Sequence, residues 1–207
     1  MRTKIKICGL SRDIDASYVN AALPDFAGFI ISFPKSRRSI APERAKQFRE
    51  LIDSRIKTVG VFVNSDLHEA ASLANCGAID VIQLHGSESE EYISSLRRET
   101  SAEIWKSFIV KTEGDISAAA SSSADRVLLD GGMGGGTLFD HSLIKNIGRE
   151  FILAGGLNCG NIENAVKTLR PWAVDISSGV ETDGVKDRSR IVRITAMVRS
   201  SDLLLRQ

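Results

Sequence analysis

Eight times along its 207 residues the chain passes from a β-like run to a helix-like one, and this alternation constrains the fold more than any single motif. The patterning predicts strands over 3–8, 26–31, 57–63, 79–84, 103–109, 126–130, 151–154 and 173–177. Amphipathic segments over 14–22, 42–52, 66–75, 88–98, 115–122, 142–147, 160–169 and 188–204 read as helices. Runs such as Val59-Gly60-Val61-Phe62-Val63 are apolar on both faces, as parallel strands covered by helices must be. With no linker and no low-complexity stretch, eight such units predict an α/β fold of the single-domain (β/α)8 TIM barrel type over 1–207, rather than an open sheet. Ser87 with Glu90 reads as a capping box, Asn158 as a start signal for the seventh helix, and Pro42 as a first-turn residue. The fifth helix has the thinnest apolar face, because 118–123 is all alanine and serine.

Composition narrows the function. Lys and Arg total 27 against 26 Asp and Glu, a net charge of +1, so no electrostatic footprint for nucleic acid or an anionic membrane is present. An anionic ligand must therefore be met by local groups. The cysteines Cys8, Cys76 and Cys159 are odd in number and lack metal-ligand spacing, which predicts free thiols in a reducing compartment. No run of about 18 apolar residues exists, and no hydrophobic signal core follows Lys4 and Lys6; a cytoplasmic protein is expected.

Barrels of this kind carry their chemistry at the carboxyl ends of the strands. Cys8, the loop 33–38, Asn64, His85-Gly86, Asp130-Gly131-Gly132, Gly155-Gly156 and Ser178-Gly179 occupy those ends, whereas Asp80 and Asp125 precede their strands and belong to the opposite, stabilising face. In Lys4-Ile5-Lys6-Ile7-Cys8-Gly9-Leu10, alternation places Lys4, Lys6 and Cys8 on one side before Gly9 breaks the strand. Taken alone, a strand-end cysteine is a packing residue. The turns Ala154-Gly155-Gly156-Leu157 and Ser177-Ser178-Gly179-Val180 follow strands seven and eight, where backbone N–H groups approach a phosphate only if no Cβ obstructs them. The tract 131–136 reads either as a mobile loop over the site or as a plain connector.

These motifs, in this order, resemble the phosphoribosylanthranilate isomerase family of tryptophan biosynthesis. The resemblance runs from Lys6-Ile7-Cys8-Gly9 through Gly28-Phe29-Ile30, Ser36-Arg37-Arg38, Val59 to Asn64, Gln83-Leu84-His85-Gly86, Leu128-Leu129-Asp130 and Phe139-Asp140. It closes with Leu153 to Leu157, Val174 to Glu181 and Lys186-Asp187.

The resemblance implies an Amadori rearrangement of N-(5-phosphoribosyl)anthranilate to the carboxyphenylamino-deoxyribulose phosphate, with no metal or organic cofactor. It assigns Asp130 as the acid that protonates the furanose oxygen and Cys8 as the base that removes the C2′ proton. Arg38 aligns with the arginine that pairs with the anthranilate carboxylate, Arg37 being a solvated neighbour. Asp175 matches a substrate-contacting position and competes with a structural reading inside strand eight. Gly155, Gly156, Ser178 and Gly179 are expected at the phosphate. A free thiol is only a few per cent thiolate at neutral pH, so Cys8 needs a positive neighbour. Lys6 shares its face and is either that neighbour or a structural barrel lysine. His85 reads as a hydrogen-bonded scaffold histidine, and Cys76 and Cys159 as packing. The expected partner is a small sugar phosphate, with a monomer or homodimer as the assembly.

Two departures from the family pattern stand out. The tract Gly134-Gly135-Gly136-Thr137-Leu138-Phe139-Asp140-His141 lacks the usual hydroxyl residue between its glycines and the tryptophan after Phe-Asp, and Ala41 removes a side-chain cap from the second helix. Three rivals are weighed. A histidine-pathway isomerase would put an aspartate where Cys8 stands, and indole-glycerol-phosphate synthase would need catalytic lysine and glutamate at strand ends. A sugar-phosphate-binding barrel without activity would need neither Cys8 nor Asp130.

Overall fold

A computed structural model describes residues 2–131, 143–144 and 147–204. Eight parallel strands close into a barrel: β1 (Lys4–Cys8), β2 (Phe26–Ile31), β4 (Lys57–Phe62), β5 (Val81–Leu84), β6 (Glu103–Ile109), β7 (Arg126–Asp130), β8 (Phe151–Ala154) and β9 (Ala173–Ile176). β9 pairs with β1 and β1 with β2, which closes the ring; β3 (Ser39–Ile40) adds a short ninth strand beside the far end of β2. Helices α1 (Asp13–Ala22), α2 (Pro42–Leu51), α3 (Leu67–Asn75), α4 (Glu90–Glu99), α5 (Glu113–Ser121), α6 (Ile162–Leu169) and α7 (Arg188–Leu204) cover the outside. The predicted helix over 142–147 and the glycine tract beyond Gly131 lie largely outside the described residues. No described helix is long and apolar enough to cross a membrane.

Strand alternation separates two cores. Outward-facing Ile5, Ile7, Phe29, Ile82, Leu129 and Val174 pack against the helices. Inside the barrel, Phe26, Val59, Val81, Trp105, Leu128, Ile152 and Ala173 form a separate cluster, each supplied by a different strand. Trp105 meets Phe26 edge-on at 4.9 Å, and Trp172 closes the amino-terminal end at 5.8 Å from both rings.

Helix starts differ in detail from expectation. The cap of α4 is Ser89, whose Oγ accepts the Tyr92 N–H, so Ser87 and Glu90 are not its capping box; Glu90 instead binds Ser122 and Ser123. Glu88, expected inside that helix, lies ahead of it and pairs with Lys106 at 2.7 Å. Asn161, not Asn158, precedes α6. The alanine-rich α5 does form, because Thr112 and Asp115 make a true capping box and Ile116 and Ala119 suffice as its buried face. Ala41 leaves α2 without a side-chain cap, with Pro42 in its first turn.

At the amino-terminal face, carboxylates ahead of one strand bind the backbone of the strand before it. Asp25 Oδ2 accepts from Ile5 N at 3.0 Å, Asp80 Oδ2 from Thr58 N at 2.7 Å and Asp125 Oδ2 from Ile104 N at 2.8 Å. Asp80 also accepts from the Thr58 hydroxyl at 3.0 Å. Thr58 is fully buried, so Asp80→Ala strands its N–H and should cost about 1–3 kcal/mol. Urea unfolding of that variant should show this loss while kcat and KM of the folded enzyme stay unchanged; an activity loss without destabilisation would refute the purely structural role.

Candidate active site

β1 delivers Lys6 and Cys8 to the inside of the barrel, and β9 delivers Asp175 directly beside Lys6 in the strand register. Lys6 Nζ donates to Asp175 Oδ2 at 2.7 Å, with the lysine side chain fully buried and the aspartate nearly so. The ammonium also stands beside the Cys8 thiol and favours its ionised form. Burial opposes the charge on Lys6, but Asp175 and Cys8 outweigh it and its pKa is raised. Lys6 is therefore charged, structural in its ion pair and electrostatic toward the thiol, which unites the two readings left open by its place in the strand.

Room for this trio comes from Gly28 on the adjacent strand. A Cβ there would lie 2.9 Å from Cys8 Sγ and 3.0 Å from Lys6 Cε. The second carboxylate oxygen of Asp175, Oδ1, is buried and has no hydrogen-bond partner among the described residues. A buried acceptor without a donor is costly unless a ligand or water fills its need.

Across the barrel β7 ends in Asp130, whose Oδ2 lies 3.8 Å from His85 Nε2. Gln83 Nε2 meets His85 Nδ1 at 3.1 Å, which places the ring proton on Nε2, toward Asp130. Burial lowers the pKa of His85, with Asp130 opposing, so the imidazole is neutral at pH 7.

Cys8, Gln83, His85, Asp130 and Asp175 line one cavity of about 300 Å3. Ile30, Phe33, Val61 and Val63 supply an apolar wall, and Gly155, Gly156, Ser177 and Ser178 complete the rim. Gly155 and Gly156 both take left-handed φ, +89° and +63°. The Gly156 carbonyl accepts from Asn158 Nδ2 and Asn161 Nδ2, both at 3.0 Å. Because the following peptide is trans, its N–H on Leu157 points away from those asparagines. Gly179 does not line the cavity. Its missing side chain admits the Leu157 carbonyl, 1.8 Å from where a Cβ would sit, so it locks the two turns together.

Arg38 is also outside the lining. Its guanidinium makes a two-pronged contact with Glu181, Nε to Oε1 at 2.6 Å and Nη2 to Oε2 at 2.7 Å. Glu181 and Lys186 belong to the closing motif in the sequence and pair with each other at 2.7 Å, but the bond from Arg38 to Glu181 spans 143 positions and carries no local signal. A larger cavity of about 540 Å3 lies at the opposite end, against Arg149, Trp172 and Asp202. It contains none of the strand-end groups.

The N-(5′-phosphoribosyl)anthranilate isomerase family model matches residues 5–196. The chain belongs to that family. A curated member from Endomicrobium trichonymphae is 44% identical over 202 residues, covering 95% of this chain and 98% of the relative. The crystal structure of monomers derived from the dimeric phosphoribosylanthranilate isomerase of Thermotoga maritima superimposes with a TM-score of 0.83 at 33% identity, covering 96% of this chain and 99% of that one. A family structure in complex with reduced 1-(o-carboxyphenylamino)-1-deoxyribulose 5-phosphate gives a TM-score of 0.84 at 32% identity, with the same coverage.

One thiol is placed otherwise than expected: Cys8 is buried at the cavity and Cys159 packs partly against the core, but Cys76 is exposed at the end of α3. Burial raises the pKa of Cys8 and Lys6 pulls it back without cancelling the rise. Iodoacetamide near neutral pH should therefore alkylate Cys76 first and without loss of activity. Inactivation should follow Cys8 modification alone and quicken as pH rises, which peptide mapping alongside assays would read. Rapid Cys8 alkylation at neutral pH would mean that Lys6 outweighs burial.

Proposed function

We propose that this cavity converts N-(5′-phosphoribosyl)anthranilate to 1-(2-carboxyphenylamino)-1-deoxyribulose 5-phosphate by general acid–base catalysis, with Asp130 as acid and Cys8 as base. The observation that carries the reading is the convergence of Cys8, Asp130 and the unpartnered oxygen of Asp175 on one cavity. The enzyme works on a sugar phosphate in the cytoplasm as a monomer or homodimer.

In the first step Asp130 gives its proton to the furanose oxygen as the bond from that oxygen to C1′ breaks, and the nitrogen lone pair forms the iminium. The positive nitrogen acidifies C2′–H. The Cys8 thiolate takes that proton, and the C–H electrons move to form the enolamine. Ketonisation then transfers a proton to C1′ while the 2′-hydroxyl loses one, which yields the ketose without net gain or loss of electrons. Lys6 supplies the charge that offsets the thiolate in its buried setting. Asp175 Oδ1, which has no hydrogen-bond partner among the described residues, accepts a sugar hydroxyl.

Positioned acids and bases are worth about 10²–10⁴-fold, so Cys8→Ala and Asp130→Asn should each lose at least about 10²-fold in kcat while still binding the reduced product analogue. Turnover at the normal rate by either folded variant removes that residue from the mechanism.

The phosphate belongs against Gly155, Gly156 and Ser178, in the rim made by the turns after β8 and β9. Gly156→Ala puts a side chain at a φ of +63° and should raise KM several-fold, with inorganic phosphate becoming a weaker competitive inhibitor. A sulfate-soaked crystal with its anion elsewhere on this face would move the phosphate site.

A further inference from the structure

Glu181 lies at the centre of a cationic cluster that the proton-transfer steps do not account for. It opens the hairpin of β10 (Glu181–Thr182) and β11 (Val185–Lys186), directly opposite Lys186 in the register. Its Oε1 accepts from Arg38 Nε at 2.6 Å and Lys186 Nζ at 2.7 Å, and its Oε2 from Arg38 Nη2 at 2.7 Å and Arg37 Nη2 at 2.8 Å. Burial works against ionisation here, yet bonds from Arg38 and Lys186 draw the carboxyl down to about 2. The carboxylate is thus permanently charged at working pH.

A guanidinium offers two edges to a carboxylate, one made of Nε and Nη2 and one of Nη1 and Nη2. Glu181 holds the first. Nη1 has no hydrogen-bond partner among the described residues, so Glu181 leaves the second edge unclaimed. The arginine stems are seated on glycines with φ of +79°: a Cβ on Gly9 would lie 2.5 Å from Arg38 Cδ, and one on Gly184 2.3 Å from Arg37 Nη1. Gly9 directly follows Cys8, so the same backbone that places the thiol also places Arg38. Ser36, a cavity residue, adds a bond from the Arg38 N–H to its Oγ at 3.2 Å.

We propose that Glu181 is a positioning residue for recognition of the anthranilate carboxylate: it clamps Arg38 by the Nε–Nη2 edge and so holds the Nη1–Nη2 edge ready for the substrate. The inference rests on the reading of Arg38 as the carboxylate-binding residue. A free arginine side chain samples many rotamers, and ordering it on binding costs affinity; the clamp meets that cost during folding. A carboxylate so near an anionic substrate would repel it, but Arg37, Arg38 and Lys186 leave the cluster with positive charge in excess. Glu181 therefore acts on binding through Arg38, while Lys186, which it also holds, favours the ionised form of Cys8.

The test measures kinetics of Glu181→Gln, Arg38→Ala and the double variant, with binding of the reduced product analogue with and without its ortho-carboxylate. Glu181→Gln should raise KM about tenfold with kcat changed less than about twofold, and should weaken only the carboxylate-bearing analogue. Arg38→Ala should raise KM at least as much, and the double variant should be no worse than Arg38→Ala alone. Additive effects, equal weakening of both analogues, or a lowered KM in Glu181→Gln would overturn the clamp; the last would mean that Glu181 competes with substrate for Arg38. If Arg38→Ala leaves KM unchanged, the assignment of Arg38 itself fails. Should the glutamine variant not fold, Glu181→Asp, with a shorter reach and the same charge, should give the same selective loss to a smaller degree, and an unaltered KM there would count equally against the clamp.

Discussion

The ion pair between Lys6 and Asp175 is the interaction on which the upper half of this barrel depends. Burying two charges inside a barrel costs several kcal/mol per ion before their attraction returns it, and well-packed apolar residues would serve stability as well or better. The pair earns its place through position. It ties the first barrel strand to the last, it sets a positive charge beside the Cys8 sulfur, and it leaves one aspartate oxygen without a hydrogen-bond partner among the described residues. Replacing either partner alone would leave an uncompensated charge in the barrel interior.

Around that pair the molecule divides into two ends that obey different rules. At the amino-terminal end carboxylates close backbone hydrogen bonds between neighbouring strands, and tryptophans fill the lumen. At the carboxyl end, Gln83 Oε1 and Asp175 Oδ1 are buried acceptors without a hydrogen-bond partner among the described residues, and both residues line the cavity.

Much of this was legible in the sequence because its signals are local. Two-sided apolar strands, eightfold alternation and the rule about strand ends lead to the barrel, to Cys8 and Asp130 on one face, and to Asp80 and Asp125 on the other. Ser87 misled because the same capping chemistry is available to Ser89 two residues on, and Asn158 because the helix starts after Asn161, whose side chain binds the preceding turn and does not cap it. The exposure of Cys76 was hidden because a helix-end position can face either way. The tie of Arg38 to Glu181 joins the second strand's loop to the last hairpin, and no periodicity encodes so distant a contact. Gly179 read as open space for a phosphate; it is filled by another loop's carbonyl, which only packing could reveal.

Gly28 carries no functional group and touches no substrate-forming atom, yet the thiol and the ammonium both occupy the volume its side chain would need. In a saturation scan it would score among the intolerant positions, beside the residues proposed to transfer protons. Its intolerance would record a shape and not a reaction, so mutational sensitivity in this enzyme outlines the cast of the active site as faithfully as its chemistry.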